Sequence, residues 1–386
     1  MSRARKPSRR TERGVALLVV LSSLALVGGV VAEFQFNSRV DLQLALNARD
    51  DVQAEYNALA ALRLRALLLR QGQQLGDGIR GLGEALGIPA MPSINQLLEM
   101  MPVECGVMSA LAHKADSGDD ATGESLFAGD CLATSTSEHT KISVNMLGAQ
   151  SNNRAGQVTQ MLLGLLSSPA LERHFQEDDR NGTHAESPLE LVTAMTDWID
   201  PNHTQFGNDV GDEDRYYSSL RDSYRAKNAP FDSLAEIQLA HGIDDELYGL
   251  LKDHLTIYAD STQIELASAP LERVLLGLFA CVRDGANGGD LLEQPGLGGL
   301  VATLVAMQRL GAASFGVLDV TMLTTLVQQA GLERIIDPAR LRQFFTDTAG
   351  TTWYAIDAQG SVGRAARRMH AIFQAREGQF YYYRVE

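Results

Sequence analysis

Eighteen consecutive residues, 197–214, contain six carboxylates and neither lysine nor arginine. The acidic residues are Asp197, Asp200, Asp209, Asp212, Glu213 and Asp214. Carboxylates placed this closely repel one another unless water or a cation screens them, and Ca2+ prefers about six to eight oxygen ligands of this kind. The stretch does not match an EF-hand, because Asp200-x-Asn202-x-Thr204 lacks the following glycine and the distal glutamate. Composition alone favours a solvated acidic loop over a cation site, and both interpretations stay open.

Signatures of common enzymes are absent from the sequence. It contains no His-Glu-x-x-His, no Gly-x-Ser-x-Gly and no phosphate-binding loop. Residues 347–350 read Asp-Thr-Ala-Gly, in which an extra alanine breaks the Asp-Thr-Gly of aspartic proteases, and the chain has no second copy. We therefore predict that the protein is not an enzyme.

A helix-hairpin-helix pattern covers residues 231–258, with Gly242 at the turn. Such hairpins bind DNA through backbone amides and nearby basic residues, but here Asp244, Asp245 and Glu246 follow the turn and would repel phosphate. We therefore predict a helical packing unit and no nucleic-acid partner. The alternative function is that of a membrane-anchored helix-hairpin-helix DNA-binding protein, whose binding would weaken steeply with salt.

The chain contains three cysteines, Cys105, Cys131 and Cys281. Outside the cytoplasm, oxidising conditions favour one disulfide with one thiol left over. Cys105 and Cys131 flank a loop rich in glycine, aspartate and serine, which gains from a covalent link. Cys281 lies in an apolar segment typical of a buried helix. We predict a Cys105–Cys131 disulfide, with three free thiols as the alternative.

The N-terminus combines a basic leader with an apolar run. Residues 1–14 hold six basic residues and one acid, a net charge of +5, so the chain's net −15 leaves −20 for the remainder. Residues 15–32 carry no charge and would span about 27 Å as a helix, close to the thickness of a bilayer. The positive leader would stay on the cytoplasmic side.

Three fates of this segment remain open. Cleavage near residues 30–32 by signal peptidase would release a soluble protein, for example a secreted Ca2+-binding enzyme. An uncleaved helix would give a plain single-pass protein. Cleavage after Gly14 would remove the charges and keep the helix.

A helix is predicted to continue beyond the membrane to residue 71. Apolar residues recur every three or four positions from Val52 to Leu69, and no proline lies between residues 15 and 71. Such a helix would be about 84 Å long, with its outer half packed on a globular domain. The alternative is a broken anchor with a weak point at Gly28-Gly29. The glycine-rich residues 72–92 predict a linker or short helices.

The rest of the chain changes its periodicity twice. Residues 141–146 alternate between apolar and polar and predict a strand. Helical signals dominate from about residue 156 to 345, with N-caps such as Ser187, Ser233 and Asp319. Residues 351–356 and 380–385 are β-branched and aromatic, which predicts strands, whereas residues 362–373 between them have helical spacing.

Several stretches, taken in order, resemble the K-type minor pseudopilins of type II secretion (general secretion pathway protein K). They are GVALLVVL at 14–21, KISVN at 141–145, LVTAMTDWID at 191–200 with Tyr216-Tyr217 after the acidic loop, YRAKNAP at 224–230 and SLAEI at 233–237. The first stretch resembles a class III leader, which prepilin peptidase cuts after the glycine. Most such leaders have glutamate at the fifth mature position, whereas Val19 stands here, as in K-type proteins. Residues 264–267 depart from the family, because they read Ile-Glu-Leu-Ala instead of the usual Ile-Asn-Leu-Asn.

The resemblance implies an α+β fold. A pilin-like domain with a long N-terminal transmembrane helix and a small antiparallel sheet would carry a large inserted all-α domain, and residues 362–373 would form a strand. The implied divisions are a leader at 1–14, a long helix at 15–71 of which 15–32 span the membrane, the first part of the pilin-like domain at 72–147, the inserted helical domain at 148–346 and the final strands at 347–386.

The resemblance also implies a function and a set of sites. The protein would lie at the tip of a periplasmic pseudopilus and help to initiate its assembly and protein export across the outer membrane. Prepilin peptidase would cut between Gly14 and Val15, and Val15 would be N-methylated. Structural Ca2+ would bind Asp200, Asn202, Asp209, Asp212, Glu213 and Asp214. The implied partners are the I-, J- and H-type minor pseudopilins and the major pseudopilin. The helix would lie in the inner membrane, with the C-terminal body in the periplasm.

Overall fold

Helix α1 (Arg9–Leu86) is the longest element of the chain, and at 78 residues it is about 117 Å long. The computed structural model describes residues 9–86, 94–106, 128–149, 152–168, 171–176, 185, 187–207, 211–286, 288–314, 318–347 and 352–386. The other helices are α2 (Ile94–Met100), α3 (Asn152–Leu166), α4 (Pro188–Ile199), α5 (Asp214–Ser219), α6 (Asp245–Leu251), α7 (Leu271–Ala280), α8 (Gly288–Leu292), α9 (Pro295–Ser314), α10 (Val320–Gln329) and α11 (Pro338–Phe344).

The strands form one five-stranded antiparallel sheet and two short pairs. Their bounds are β1 (Val103–Glu104), β2 (Asp130–Ser137), β3 (Ile142–Ser143), β4 (Leu255–Thr256), β5 (Ile264–Glu265), β6 (Phe345–Thr346), β7 (Trp353–Val362), β8 (Ala365–Gln374) and β9 (Gln379–Val385). The main sheet has the order β1-β2-β7-β8-β9, whereas β3 pairs with β4 and β5 with β6 in parallel. Because β2 and β7 are neighbours, everything between them is an insertion into the sheet.

The second half of α1 packs across the middle of this sheet. Its buried side chains meet apolar residues of β7 and β8 that alternate along each strand. The buried residues of this core on α1 are Ala58, Ala61, Leu62, Ala66 and Leu69, and those on the two strands are Tyr354, Ile356, Ala358, Met369, Ala371 and Phe373. Alanine dominates the helix face, so the helix lies close to the sheet.

Gly360 in β7 permits the closest approach between α1 and the sheet. A Cβ atom at this position would lie 2.1 Å from the carbonyl oxygen of Ala54 and 2.4 Å from the backbone nitrogen of Ala58. Both atoms belong to the helix backbone, which cannot rotate away as a side chain can. Only glycine therefore fits between β7 and α1 at this level.

We expect Gly360→Ala to lower the free energy of unfolding by about 1–3 kcal/mol, because the added methyl group forces the helix away from the sheet. Urea unfolding of the full chain in nanodiscs measures this loss. Gly249→Ala is a matched control, since a Cβ at Gly249 would meet no heavy atom within 4 Å. Equal stability of Gly360→Ala and the wild type would contradict the close contact.

The inserted helical domain has a hydrophobic core separate from the core beneath the sheet. Helices α3 and α7 cross at its centre, where Gly164 lies against Ala280 and a Cβ on Gly164 would come within 2.6 Å of that backbone. The predicted caps of two helices are present: Ser187 Oγ accepts the Glu190 N–H at 3.3 Å, and Asp319 Oδ1 accepts the Met322 N–H at 2.6 Å. The predicted α+β fold with a helical insertion is confirmed.

Three sequence-based boundaries differ from the structure. Helix α1 continues to Leu86 instead of ending at residue 71, because glycine weakens a helix without removing a hydrogen bond and the next proline is Pro89. The predicted strand at 141–146 is reduced to β3, followed by a 3-10 turn at Val144–Gly148. The first long strand of the sheet is β2, whose small polar residues gave no strand signal.

The predicted strands at the end of the chain are present. The described residues of the predicted strands 351–356 and 380–385, which exclude residue 351, lie in or beside β7 and β9, and β8 covers most of residues 362–373, as the resemblance implied. Periodicity alone would have favoured a helix there. The strand forms because β8 pairs along its whole length with β7, from Trp353↔Gln374 to Val362↔Ala365.

A disulfide joins Cys105 to Cys131, as predicted, and links the end of β1 to β2 across 26 residues of sequence. Residues 107–127 between the two cysteines lie outside the described part. Both cysteines are buried in the core beneath the sheet, and Cys281 is buried in the inserted domain with a free thiol.

Replacing both bridged cysteines with serine should cost about 3.5 kcal/mol of unfolding free energy, the loop-closure value for a loop of this length. Urea unfolding of the double variant beside the wild type measures the loss. Cys281→Ser is the control for thiol chemistry alone. A double variant as stable as the wild type would show that the link does not constrain the unfolded chain.

Candidate functional site

The first part of α1 presents an apolar surface to its surroundings. Every side chain from residue 15 to residue 49 is exposed, and the helix is long and apolar enough to span a membrane. Gly14 lies inside α1, directly before Val15, whose side chain is 62% exposed. Residues 1–8 of the leader lie outside the described part. Cleavage after Gly14 and methylation of Val15 therefore stay predictions.

The acidic stretch lies in the inserted domain, between α4 and α5. Asp200 is the C-cap residue of α4, and α5 begins at Asp214. An antiparallel bridge between Thr204 and Asp212 closes the loop between the two helices. The ends of α4 and α5 thus bring residues from both sides of the loop together. Residues 208–210, which include the predicted ligand Asp209, lie outside the described part.

Three buried side-chain oxygens meet beside this loop. Oδ1 of Asp200, Oε2 of Glu213 and Oδ1 of Asn228 are shielded from solvent and accept no hydrogen bond from the described residues. The Nδ2 atom of Asn228 donates to Glu213 Oε1 at 2.8 Å and to the carbonyl oxygen of Asn202 at 2.7 Å. Asn202 Nδ2 in turn donates to Asp200 Oδ2 at 2.7 Å, so one chain of hydrogen bonds connects the three side chains.

Two carboxylates lie close together at this point, and the Nδ1 atom of His203 lies 3.4 Å from Glu213 Oε1. Burial raises the pKa of Asp200, and burial together with the negative charge of Asp200 raises the pKa of Glu213. Burial also raises the pKa of the neighbouring Asp197 to about 7, although Asp197 Oδ1 accepts the Phe206 N–H at 2.6 Å. A cation beside these oxygens would stabilise the ionised carboxylates and reverse these shifts.

The other predicted ligands have hydrogen bonds of their own within the loop. Asn202 Oδ1 accepts the N–H of Thr204 at 2.7 Å, and Asp212 Oδ1 accepts the N–H of Asp214 at 3.1 Å. Asp214 Oδ1 accepts the N–H of Ala226 at 2.9 Å. In the described residues no three His, Cys, Asp or Glu side chains are grouped so as to hold a metal, and the convergent set is two carboxylates and one amide.

The sequence gave no indication that Asn228 belongs to this site. It lies 15 residues beyond Glu213 and has a φ of 53°, a left-handed conformation that asparagine tolerates better than most residues. Aromatic rings pack at the same corner: Trp198 and Tyr217 are edge-to-face with ring centroids 5.5 Å apart, and the tilted ring of Tyr224 lies 5.2 Å from that of Tyr217.

Comparison with known proteins points to one family. The family model for type II secretion system (T2SS) protein K matches residues 140–260, which include α4, the acidic loop, Asn228 and α6. Type II secretion system protein K of Klebsiella pneumoniae is 24% identical over 269 residues, 69% of each chain. The protein of the same name from Pectobacterium carotovorum subsp. carotovorum is 26% identical over 243 residues, 62% of this chain and 61% of the relative. Over these residues the chain is similar to the type II secretion system protein K family.

One solved structure is also similar to the chain. It is the GspK-GspI-GspJ complex from the type 2 secretion system of enterotoxigenic Escherichia coli, matched at 15% identity with a TM-score of 0.45 over 67% of this chain and 80% of that one. The name that the family model and these relatives share describes a component of a secretion system.

Residue 265, where the sequence departs from the pattern that the resemblance implies, connects the inserted domain to the sheet domain. Glu265 is 3% exposed. Its Oε1 accepts Nε2 of Gln96 from α2 at 3.1 Å, and its Oε2 accepts Oγ of Ser137 from β2 at 3.0 Å. The carboxylate therefore holds the two domains of the chain together. Residues 264–265 form β5, which pairs with β6, and residues 266–267 follow it in a turn.

Proposed function

We propose that this protein is a minor pseudopilin at the tip of a periplasmic pseudopilus, where it helps to initiate assembly and protein export across the outer membrane. The observation that carries the proposal is the continuous α1. One helix combines an apolar, wholly exposed first part with a second part built into the sheet domain. Such a helix can lie in the inner membrane and later pack against helices of other subunits without a change in the fold.

Two further features support the tip position. Val19 stands at the fifth position after Gly14, where a carboxylate would otherwise neutralise the N-terminal amine of a neighbouring subunit. The inserted domain adds a second folded body between β2 and β7, which leaves little room for a subunit stacked above. The proposed partners are the I-, J- and H-type minor pseudopilins and the major pseudopilin, with prepilin peptidase as the processing enzyme.

The mass of the N-terminal peptide, measured on protein purified from membranes, tests this proposal. We expect a peptide that begins at Val15 and carries one methyl group on its amine. Gly14→Leu should block cleavage and leave the basic leader in place, and Gly28→Leu is the control at a glycine further along α1. A mature protein that begins at Glu33 would show loss of the helix and overturn the proposal.

We also propose that the inserted domain binds a structural Ca2+ ion. Asp200, Glu213 and Asn228 would supply the three unpartnered oxygens, and backbone carbonyls, Asp209 and water would complete the ligand set that Ca2+ requires. The ion would neutralise the buried carboxylates and fix the loop between α4 and α5.

The structure offers no specific support for the helix-hairpin-helix alternative. The turn has Gly242 at a φ of 85° and leads into α6, whose first residues are acidic. The Asp244 side chain accepts the Leu247 N–H at 2.7 Å, so it caps the helix at the point where a DNA phosphate would have to bind. DNA binding at low salt would revive that function.

A further inference from the structure

Strand β9 lies at an edge of the five-stranded sheet. In the described part of the chain it pairs only with β8, and all seven of its residues are exposed. The opposite edge is β1, which has two residues and is too short to template another strand. Four consecutive aromatic residues, 380–383, lie in β9. The sheet therefore has one long, apolar, open edge.

Hydrogen bonding to β8 determines which backbone groups of β9 point outwards. Arg368 and Glu386 exchange both backbone hydrogen bonds, N to O at 3.1 Å and 2.8 Å, so they form a hydrogen-bonded pair of the antiparallel ladder. Such pairs alternate with non-bonded ones. In the register Met369↔Val385 and Ala371↔Tyr383, the N–H and C=O groups of Tyr383 and Val385 therefore point away from β8.

The edge has little of the protection that exposed strands usually have. Strand β9 contains neither proline nor lysine, the residues that commonly prevent a further strand from pairing with an edge. The register shift at Ile372/Phe373 also lies outside the part of β9 from Tyr382 onwards, which pairs regularly with β8. Helix α1 packs on β2, β7 and β8 and leaves the side chains of Tyr383 and Val385 46% and 41% exposed. The outward backbone groups and the apolar side chains beside them form one surface, the β9 edge (residues 380–386).

A second copy of the chain cannot occupy this edge while both copies are anchored in one membrane. Antiparallel pairing of β9 with itself needs a two-fold axis perpendicular to the sheet. Helix α1 lies along the sheet, since Gly360 contacts Ala54 near one end and Gly378 lies beside Arg70 near the other. Rotation about that axis would point the second α1 away from the membrane of the first.

We propose that the β9 edge binds an extended segment of a different polypeptide by strand addition, which extends the sheet to six strands. Outward N–H and C=O groups of Tyr383 and Val385 would supply the backbone hydrogen bonds. Alternating β-branched residues of the segment would pack beside Tyr383 and Val385 on the helix side. On the other side Arg384 forms an ion pair with Glu386 at 3.1 Å and stays 62% exposed, so the remaining N–H donors of its guanidinium favour an acidic residue opposite it. This activity goes beyond the proposed tip position, which does not require it.

The probe is a fluorescent heptapeptide, Val-Thr-Val-Asp-Val-Thr-Val, added to the full chain in nanodiscs. We expect saturable binding by anisotropy, and at least tenfold slower hydrogen exchange at the amides of Tyr383 and Val385 when the probe is bound. The amides of Tyr382 and Arg384 face β8 and should be protected with or without the probe. The matched peptide with lysine in place of aspartate should bind at least threefold more weakly.

Tyr383→Pro removes one outward N–H without removing a bond to β8, and proline is tolerated at edge strands. It should weaken probe binding at least tenfold, whereas Tyr383→Thr, which keeps the N–H, should bind within threefold of the wild type. A thermal unfolding curve like that of the wild type shows that Tyr383→Pro folds. If the variant does not fold, the proposal is tested by hydrogen exchange at the Tyr383 and Val385 amides of the wild type, with and without the probe. Unweakened binding to folded Tyr383→Pro, no protection of the two wild-type amides, or dimerisation through β9 would each overturn the proposal.

Discussion

Replacing Arg65 with methionine should lower the free energy of unfolding by about 1–3 kcal/mol, the range for leaving a buried hydrogen-bonding group without its partner. Arg65 is fully buried between α1, α2 and β2. Its Nε and Nη2 atoms donate to Ser135 Oγ at 2.9 and 2.7 Å, and Nη1 donates to the Met101 carbonyl oxygen at 2.7 Å. The Leu98 carbonyl oxygen accepts a further bond from Nη2.

Methionine matches the length of the arginine stem but leaves these acceptors without the guanidinium donors. Two of the acceptors are carbonyl groups at the end of α2: that of Leu98, which also accepts the Met101 N–H at 3.0 Å, and that of Met101, directly after the helix. We therefore expect α2 to detach from α1 before the sheet itself unfolds. Urea unfolding in nanodiscs, followed by the fluorescence of Trp353 in β7, measures the loss. Arg63→Met, an exposed position on the same helix, should change stability by no more than about 0.5 kcal/mol. Equal losses in the two variants would show that helix propensity, not the buried network, is responsible.

The sequence predicted the apolar face of α1 but not the burial of Arg65. Its spacing placed Arg65 among the charged residues between the apolar positions. The acceptors lie 33, 36 and 70 residues away, on elements whose positions depend on the completed sheet. A charged side chain can be buried only when such distant partners come together in the folded protein. The local sequence pattern around Arg65 therefore does not predict its burial.

A similar limit applies to the strands and to the proposed cation site. The final strands could be predicted because β7 and β9 are rich in aromatic residues, whereas β2, DCLATSTS, is held by its pairing with β7 and by the disulfide at Cys131. Asp200 and Glu213 were found from charge density, which is local. Asn228 could not be found in this way, because it reaches the site through a backbone turn that folding of the inserted domain creates.

Adding Ca2+ at about 100 times its dissociation constant should raise the stability of the inserted domain by about 2.7 kcal/mol, if one ion binds the folded state alone. The expected site contains the unpartnered oxygens of Asp200, Glu213 and Asn228. Thermal unfolding of the full chain with EDTA, Ca2+ or Mg2+ measures the effect. Mg2+ should have less effect, because it requires a tighter octahedral set of ligands. Because the pKa values of Asp200 and Glu213 are raised, protons compete with the ion, and the shift caused by Ca2+ should shrink as the pH falls.

Glu213→Gln should have effects of opposite sign with and without the ion. Without the ion, the pKa of Glu213 is higher in the folded state than in the unfolded state, so the free energy of unfolding falls as the pH increases and Glu213 ionises. Glutamine stays neutral and avoids this loss of stability, and its Oε1 still accepts the hydrogen bond from Asn228. The variant should therefore be more stable than the wild type in EDTA at pH 8 and should not respond to Ca2+. Asp222→Asn, which removes an exposed carboxylate beyond α5, should keep the full response. If the acidic loop is only solvated, neither effect is expected. A wild type whose stability does not change with Ca2+, together with a Glu213→Gln variant as stable as the wild type, would therefore show that the loop holds no ion.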